Sequence, residues 1–255
     1  MRLLSANSDG SFSLTSFFGK PSPSYAILSH TWEADDEEVT FHDLTNALGS
    51  GKRGYRKIQF CSEQAKKDGL QYFWVDSCCI DKSSSAELSQ GINSMFRWYK
   101  NAANCYVYLS DVSTKKHSRS SELLWKPAFK QSRWFTRGWT LQELLAPRSV
   151  EFFSRDGEPL GTKESLEQQI HEATGIAIKA LQGHHLSQFS YNDRKSWAAN
   201  RKTAIEEDEA YCLLGIFDVN LSLIYGEGKE SAFRRLQAEI STQGSSAATT
   251  VKLVS

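Results

Sequence analysis

Tyr25-Ala26-Ile27-Leu28-Ser29-His30-Thr31-Trp32 is the stretch that decides the fold. Four apolar residues run without alternation into Ser, His and Thr. An uninterrupted apolar run fits a parallel strand covered on both faces; a half-exposed antiparallel strand would alternate. Two further runs repeat the pattern. Leu70-Gln71-Tyr72-Phe73-Trp74-Val75-Asp76 leads into Ser77-Cys78-Cys79-Ile80-Asp81, and Cys105-Tyr106-Val107-Tyr108-Leu109 leads into Ser110-Asp111. Helical periodicity fills the gaps. Tyr55 to Asp68 carries Ile58, Phe60, Cys61 and Ala65 on a helical period and closes on Gly69. Ser84 stands at the N-cap of a second helix through Ile92, Met95, Phe96, Trp98 and Tyr99, and Glu87 has capping-box spacing.

Strand–helix–strand–helix–strand over 25–111 predicts βαβ units, and so an α/β fold with a mostly parallel sheet flanked by helices. In such open sheets, ligands sit beyond the carboxyl ends of the strands. Ser29, His30, Thr31, Trp32, Asp76, Ser77, Cys78, Ser110 and Asp111 fall there. They are the polar ends of otherwise apolar strands, as a cleft at that edge requires.

The flanking segments add to this core. Asn7-Ser8-Asp9-Gly10 between β-prone runs predicts an N-terminal β-hairpin. Glu33 to Glu38 is an acidic loop with five carboxylates, expected to be solvated. Ser113 to Ser121 is a basic, serine-rich loop. Val150-Glu151-Phe152-Phe153 predicts a fourth strand, followed by a turn at Arg155-Asp156-Gly157 and a helix over Leu160 to Gly175. Asp193 to Arg201, Asp208 to Gly215 and Lys229 to Thr242 read as helices. Gly226-Glu227-Gly228 before the last one is a short match to a phosphate-cradling loop. Residues 245–255 are small and polar, as in a flexible tail.

Of the 255 residues, 30 are basic and 30 acidic, so net charge gives no case for nucleic acid or an anionic membrane. No run is long enough to span a bilayer, and no signal-peptide core opens the chain. Five cysteines, four of them in apolar runs, read as buried thiols of a reducing compartment, here the cytoplasm. No cysteine or histidine spacing suits zinc, and the adjacent His184 and His185 do not face one metal, so no metal site is expected.

The segment Ser132-Arg133-Trp134-Phe135-Thr136-Arg137-Gly138-Trp139-Thr140-Leu141-Gln142-Glu143-Leu144-Leu145-Ala146-Pro147 is dense in Trp and Arg. Thr140 to Ala146 reads as a helix ended by Pro147 and capped by Thr136 or Thr140. Its apolar positions give no clean stripe, so burial on more than one side is expected. Glu143 lies one turn after Trp139 on the same face. A carboxylate in these surroundings is either ion-paired with Arg133 or Arg137, or a catalytic or ligand-binding acid.

Together these blocks resemble the HET (heterokaryon incompatibility) domain. The resemblance rests on Tyr25–Trp32, on Trp74-Val75-Asp76-Ser77-Cys78-Cys79-Ile80-Asp81-Lys82, on Ile92-Asn93-Ser94-Met95-Phe96-Arg97-Trp98-Tyr99 and on Arg133–Leu144. Asp208–Gly215 and Ile224-Tyr225-Gly226-Glu227-Gly228 are similar to the region that follows those blocks. The resemblance implies a HET domain over 1–243 and a flexible tail over 244–255. Residues 25–155 would be a TIR-like, flavodoxin-like α/β core and 156–243 a mostly helical C-terminal part. It implies a fungal self/non-self recognition protein acting as a cell-death effector of innate immunity. Larger relatives carry a nucleotide-binding domain and a repeat sensor; no GxxxxGK[ST] loop and no internal repeat occurs in these residues, which makes a separate nucleotide-binding sensor protein a candidate partner.

The HET domain is in turn similar to TIR domains, some of which hydrolyse NAD+ with one Glu in a Trp-x-x-x-Glu arrangement. Trp139-x-x-x-Glu143 has that spacing. The similarity implies an NAD+ glycohydrolase without a separate cofactor, with Glu143 catalytic and activity dependent on self-association. Ser29, His30 and Asp76 would line the strand edge, Trp32 or Trp139 would stack on nicotinamide, and Arg133 or Arg137 would meet the pyrophosphate. The rival expectation is a non-enzymatic death-signalling module that self-associates and recruits partners. A redox role for Cys78-Cys79 is disfavoured, because adjacent cysteines pair only with strain.

Overall fold

The computed structural model describes residues 1–114 and 125–252, with side chains as far as Gln243. Most of the serine-rich loop expected at Ser113 to Ser121 lies outside the described residues. A seven-stranded sheet forms the centre, in the order β2-β1-β4-β3-β5-β6-β7. The strands are β1 (Arg2–Ala6), β2 (Phe12–Ser16), β3 (Tyr25–His30), β4 (Tyr72–Trp74), β5 (Asn104–Leu109), β6 (Val150–Ser154) and β7 (Pro159–Thr162). β4, β3, β5 and β6 pair in parallel; the pairs at both edges are antiparallel.

The expected α/β architecture is therefore present, with the N-terminal hairpin added as one edge of the sheet. Among the parallel strands, β3 is first in the chain, β4 second, β5 third and β6 fourth. Their spatial order is thus 2-1-3-4, the flavodoxin-like order, whose switch point lies between the first and third strands. β3 is the innermost strand, and every one of its residues is buried. That burial is the physical reason its sequence lacks alternation.

Helices Tyr55–Lys67 and Ser85–Asn101 make the crossovers. The first ends at Gly69, which takes φ +71, the left-handed conformation that a residue without Cβ enters at no steric cost. The second is capped by the Ser84 hydroxyl, which accepts from the Glu87 amide at 3.4 Å. The expected capping box is only half made, because the Glu87 carboxylate accepts instead from the Asp81 amide and from Arg2. A long-range cation outcompetes the local reciprocal bond.

Other expectations are corrected. The start of the helix expected over Leu160 to Gly175 is strand β7, paired with β6, and the helix is confined to Glu167–Thr174. Asp193 to Arg201 is helical only within Tyr191–Ser196. The last helix runs Lys229–Lys252, past Thr242, with no proline to stop it. The acidic loop is not wholly solvated: Glu38 is buried against Lys57 Nζ at 2.7 Å. All five cysteines are buried free thiols. Among the described residues, no helix is long and apolar enough to cross a membrane and no cluster of ligands could hold a metal ion.

Candidate functional site

The Ser132–Pro147 segment packs over the sheet just before β6. Asp111, at the end of β5, anchors its start: it accepts from the Ser132 hydroxyl at 2.7 Å and the Arg133 amide at 2.8 Å. A 3-10 turn (Arg133–Thr136) then leads to the helix Thr140–Leu145, every residue of which is buried. The expected threonine cap is absent. The Thr140 hydroxyl donates to the Trp134 and Arg137 carbonyls instead, and Trp139 stands in the cap position. Between them, Gly138 passes so close to Thr203 that a Cβ would lie 2.5 Å from its methyl carbon. Only glycine permits that approach, and the Gly138 amide donates to the Lys202 carbonyl at 2.9 Å.

Glu143 faces a cavity of about 350 Å³ at the carboxyl ends of β3 and β4. That volume lies within the range of small-molecule sites. His30, Trp32, Asp76, Arg137, Trp139 and Glu143 line it. Ser29 sits directly behind: its hydroxyl donates to Glu143 Oε2 and accepts from the Trp134 indole at 2.8 Å. Seven of the eight residues expected at the site are thus brought together. Arg133 is not. Its guanidinium lies on the Ser110 hydroxyl at 3.3 Å, outside the lining, because Asp111 holds its backbone at the far side of the segment.

Neither expected arginine pairs with Glu143; among the described residues its carboxyl makes no salt bridge, accepts from the Ser29 hydroxyl and is also acted on by the Tyr99 hydroxyl. Burial, reinforced by the Asp76 charge, pushes the Glu143 carboxyl up to about 8, against the bonds from Ser29 and Tyr99 and the Arg201 charge. At neutral pH it therefore holds its proton.

The walls are also built. Trp32 is 39% exposed at the mouth; its indole donates to Asp76 at 2.8 Å, and Lys82 Nζ lies 3.4 Å from its ring centroid. His30 stands between Glu38 and Asp76, 3.5 and 3.9 Å from their carboxylates. Burial pushes Glu38 up, but the nearby His30 ring and the bond and charge of Lys57 outweigh it and hold this carboxyl well below the usual range. On the opposite wall the Trp139 indole donates to Asp208 at 3.1 Å, and the Tyr225 hydroxyl donates to the same carboxylate at 2.9 Å.

A family model described as Heterokaryon incompatibility protein (HET) matches residues 25–128. The Vegetative incompatibility protein HET-E-1 of Podospora anserina is 59% identical over 218 residues, which is 86% of this chain. The chain thus carries a HET domain match over residues 25–128. It spans 16% of the length of that curated relative. No solved structure matches it.

The identity extends well past the family-model match, and residues beyond that match complete the cavity. Ala204, Ile205, Asp208 and Tyr225 line it together with Lys82, Leu88, Ile92 and Met95. Asp208 and Tyr225 were visible in the sequence only as parts of HET-like segments. No spacing links either to Trp139, 69 positions from Asp208. The Gly226-Glu227-Gly228 loop is not an open phosphate cradle: its glycine amides donate to the Glu207 carboxylate at 2.7 and 3.0 Å.

Proposed function

We propose that this HET domain is the effector part of a fungal incompatibility response and that it hydrolyses the nicotinamide–ribose bond of NAD+. The observation that carries the proposal is a buried carboxyl, Glu143, facing an aromatic cavity at the strand ends next to the switch point of a flavodoxin-like sheet. The relative HET-E-1 bears the name of a vegetative incompatibility protein, which supports the biological setting.

The chemistry follows from the residue types. The bond from the pyridinium nitrogen to ribose C1′ breaks, the electron pair leaves with neutral nicotinamide, and C1′ becomes oxocarbenium-like. A carboxylate beside it stabilises that cation, and water then adds at C1′ and gives up a proton. Glu143 by itself holds its proton at neutral pH; a docked pyridinium cation favours its ionised form. Trp32 and Trp139 offer faces to the cationic ring. Arg137 and Lys82 are the lining cations available to phosphate. The relation to TIR domains and the need for self-association belong to this proposal.

The rival reading is a signalling module without enzymatic activity. It is favoured by the complete burial of the Glu143 helix, where a protonated carboxyl bonded to Ser29 also serves packing. The decisive experiment incubates concentrated protein with NAD+ and measures nicotinamide release. Loss in Glu143→Gln, with nicotinamide formation rising more steeply than protein concentration, supports hydrolysis by an assembled form. Nicotinamide release unchanged by Glu143→Gln defeats the catalytic assignment, and intact killing by that variant favours the signalling module.

A further inference from the structure

Among the described residues, Arg201 is a buried cation that makes no salt bridge; Glu143, protonated, acts on it only at longer range. Arg201 is 7% exposed, and its bonds all go to neutral acceptors: Nε to the Trp197 carbonyl at 3.2 Å, and Nη1 to the Arg137 carbonyl at 2.9 Å and the Thr140 hydroxyl at 2.8 Å. Its Nη2 is buried with no acceptor. Burial lowers its pKa only to about 10, so it stays charged at neutral pH. An uncompensated buried charge is strongly destabilising, and native structures supply a counter-charge or a ligand.

Arg201 also lines a second cavity, of about 530 Å³, separate from the one that Glu143 faces. Its charged lining comprises Arg201, Lys195, Lys229 and Glu209, of which Lys229 and Glu209 pair with each other. Lys195 approaches the Tyr191 and Phe233 rings and, among the described residues, has no carboxylate partner. Asn192, Ser196 and Thr203 add polar groups, and Leu213 and Phe233 an apolar side.

The two cavities lie back to back across a shared wall. Arg137 and Trp139 face the first and Gly138 the second. Ala204 and Ile205 line the first and Thr203 the second. Asp208 lines the first and Glu209 the second.

We propose that this second cavity binds a small phosphomonoester, its anionic group taken by Arg201 and Lys195 and its apolar part set against Phe233 and Leu213. The same guanidinium grips the start of the Glu143 helix through the Arg137 carbonyl and Thr140. Occupancy of the second cavity therefore stiffens the wall of the first.

The test measures thermal unfolding of the whole chain with inorganic phosphate, phenyl phosphate, or sodium chloride at matched ionic strength. A ligand that binds the native state alone raises the midpoint. Phenyl phosphate is expected to raise it more than inorganic phosphate, and sodium chloride not to raise it. Lys195→Glu, at an exposed side chain, is expected to weaken the phenyl phosphate response about tenfold or more. The remote control Lys66→Glu and the first-cavity variant Glu143→Gln should both retain that response. No upward shift with phenyl phosphate, a shift equalled by sodium chloride or by inorganic phosphate, or a response lost equally in Lys66→Glu overturns the proposal. So does full retention in Lys195→Glu. Loss of the response in Glu143→Gln would place phosphate in the first cavity and also overturn it. None of these readouts depends on NAD+ cleavage.

Discussion

The Ser29 hydroxyl donates to the Glu143 carboxyl across 114 positions of sequence and ties the central strand to the only acid on the helix Thr140–Leu145. That hydroxyl also accepts from Trp134, so one serine sets both the aromatic floor and the acid. Ser29→Ala removes a donor and an acceptor at a fully buried position. It is expected to cost about 1–3 kcal/mol in denaturant unfolding. It also removes a bond that favours the carboxylate, so Glu143 should titrate at still higher pH.

The stability of the protein should decline with pH because of Glu143. Its carboxyl holds a proton to about 8 when folded and loses it near the ordinary carboxylate value when unfolded. Between those limits unfolding releases a proton, so its contribution is full below about pH 4.5 and is lost as pH rises through about 8. Glu143→Gln cannot ionise. Its melting temperature relative to wild type should therefore climb from pH 5 to pH 8. Parallel curves would show that the carboxyl is not buried in solution.

If Glu143 works as a carboxylate, kcat/KM for NAD+ should rise with pH through a limb near 8, reporting the free protein. Ser29→Ala should move that limb upward. A rate that is flat across this range while Glu143→Gln is inactive would assign the acid a structural role.

Glu38 and Lys57 are a buried pair, 6% and 2% exposed at their side chains. Lys57→Met should cost about 3 kcal/mol, because it leaves the buried Glu38 carboxylate with His30 and the Glu33 amide but without its closest cation. The double variant Glu38→Gln/Lys57→Met should recover much of the loss in urea titrations. Since Glu38 is held below the usual carboxylate range, the stability it contributes is present above that range and lost in acid.

The Trp139 indole is held by Asp208, which also receives the Tyr225 hydroxyl. Asp208→Ala should free that ring and leave two donors unsatisfied. A rise in KM for NAD+ larger than the fall in kcat would show that Asp208 positions the aromatic wall.

Local pattern determined a great deal. The apolar run Tyr25–Leu28 can satisfy its side chains only on a strand covered on both faces. With its two repeats and the intervening helical periods, it fixed a parallel α/β sheet and the polar strand ends that meet the cavity. The aromatic segment around Glu143 announced itself by residue type, and its lack of a clean apolar stripe already implied burial on more than one side. Tertiary structure alone decided which charges meet. Arg133 and Arg137 were equivalent by spacing, but Asp111 pulls one away from the cavity while the other lines it. Glu143 took a serine as partner rather than an arginine. Lys57 and Glu38 left the surface together, and Arg201 was buried with no carboxylate in salt-bridge range among the described residues. Backbone periodicity is a short-range property that one segment expresses by itself. The partner of a charged side chain is set by where strands and helices far apart in sequence come to rest, and Ser29 beside Glu143 is visible only once they do.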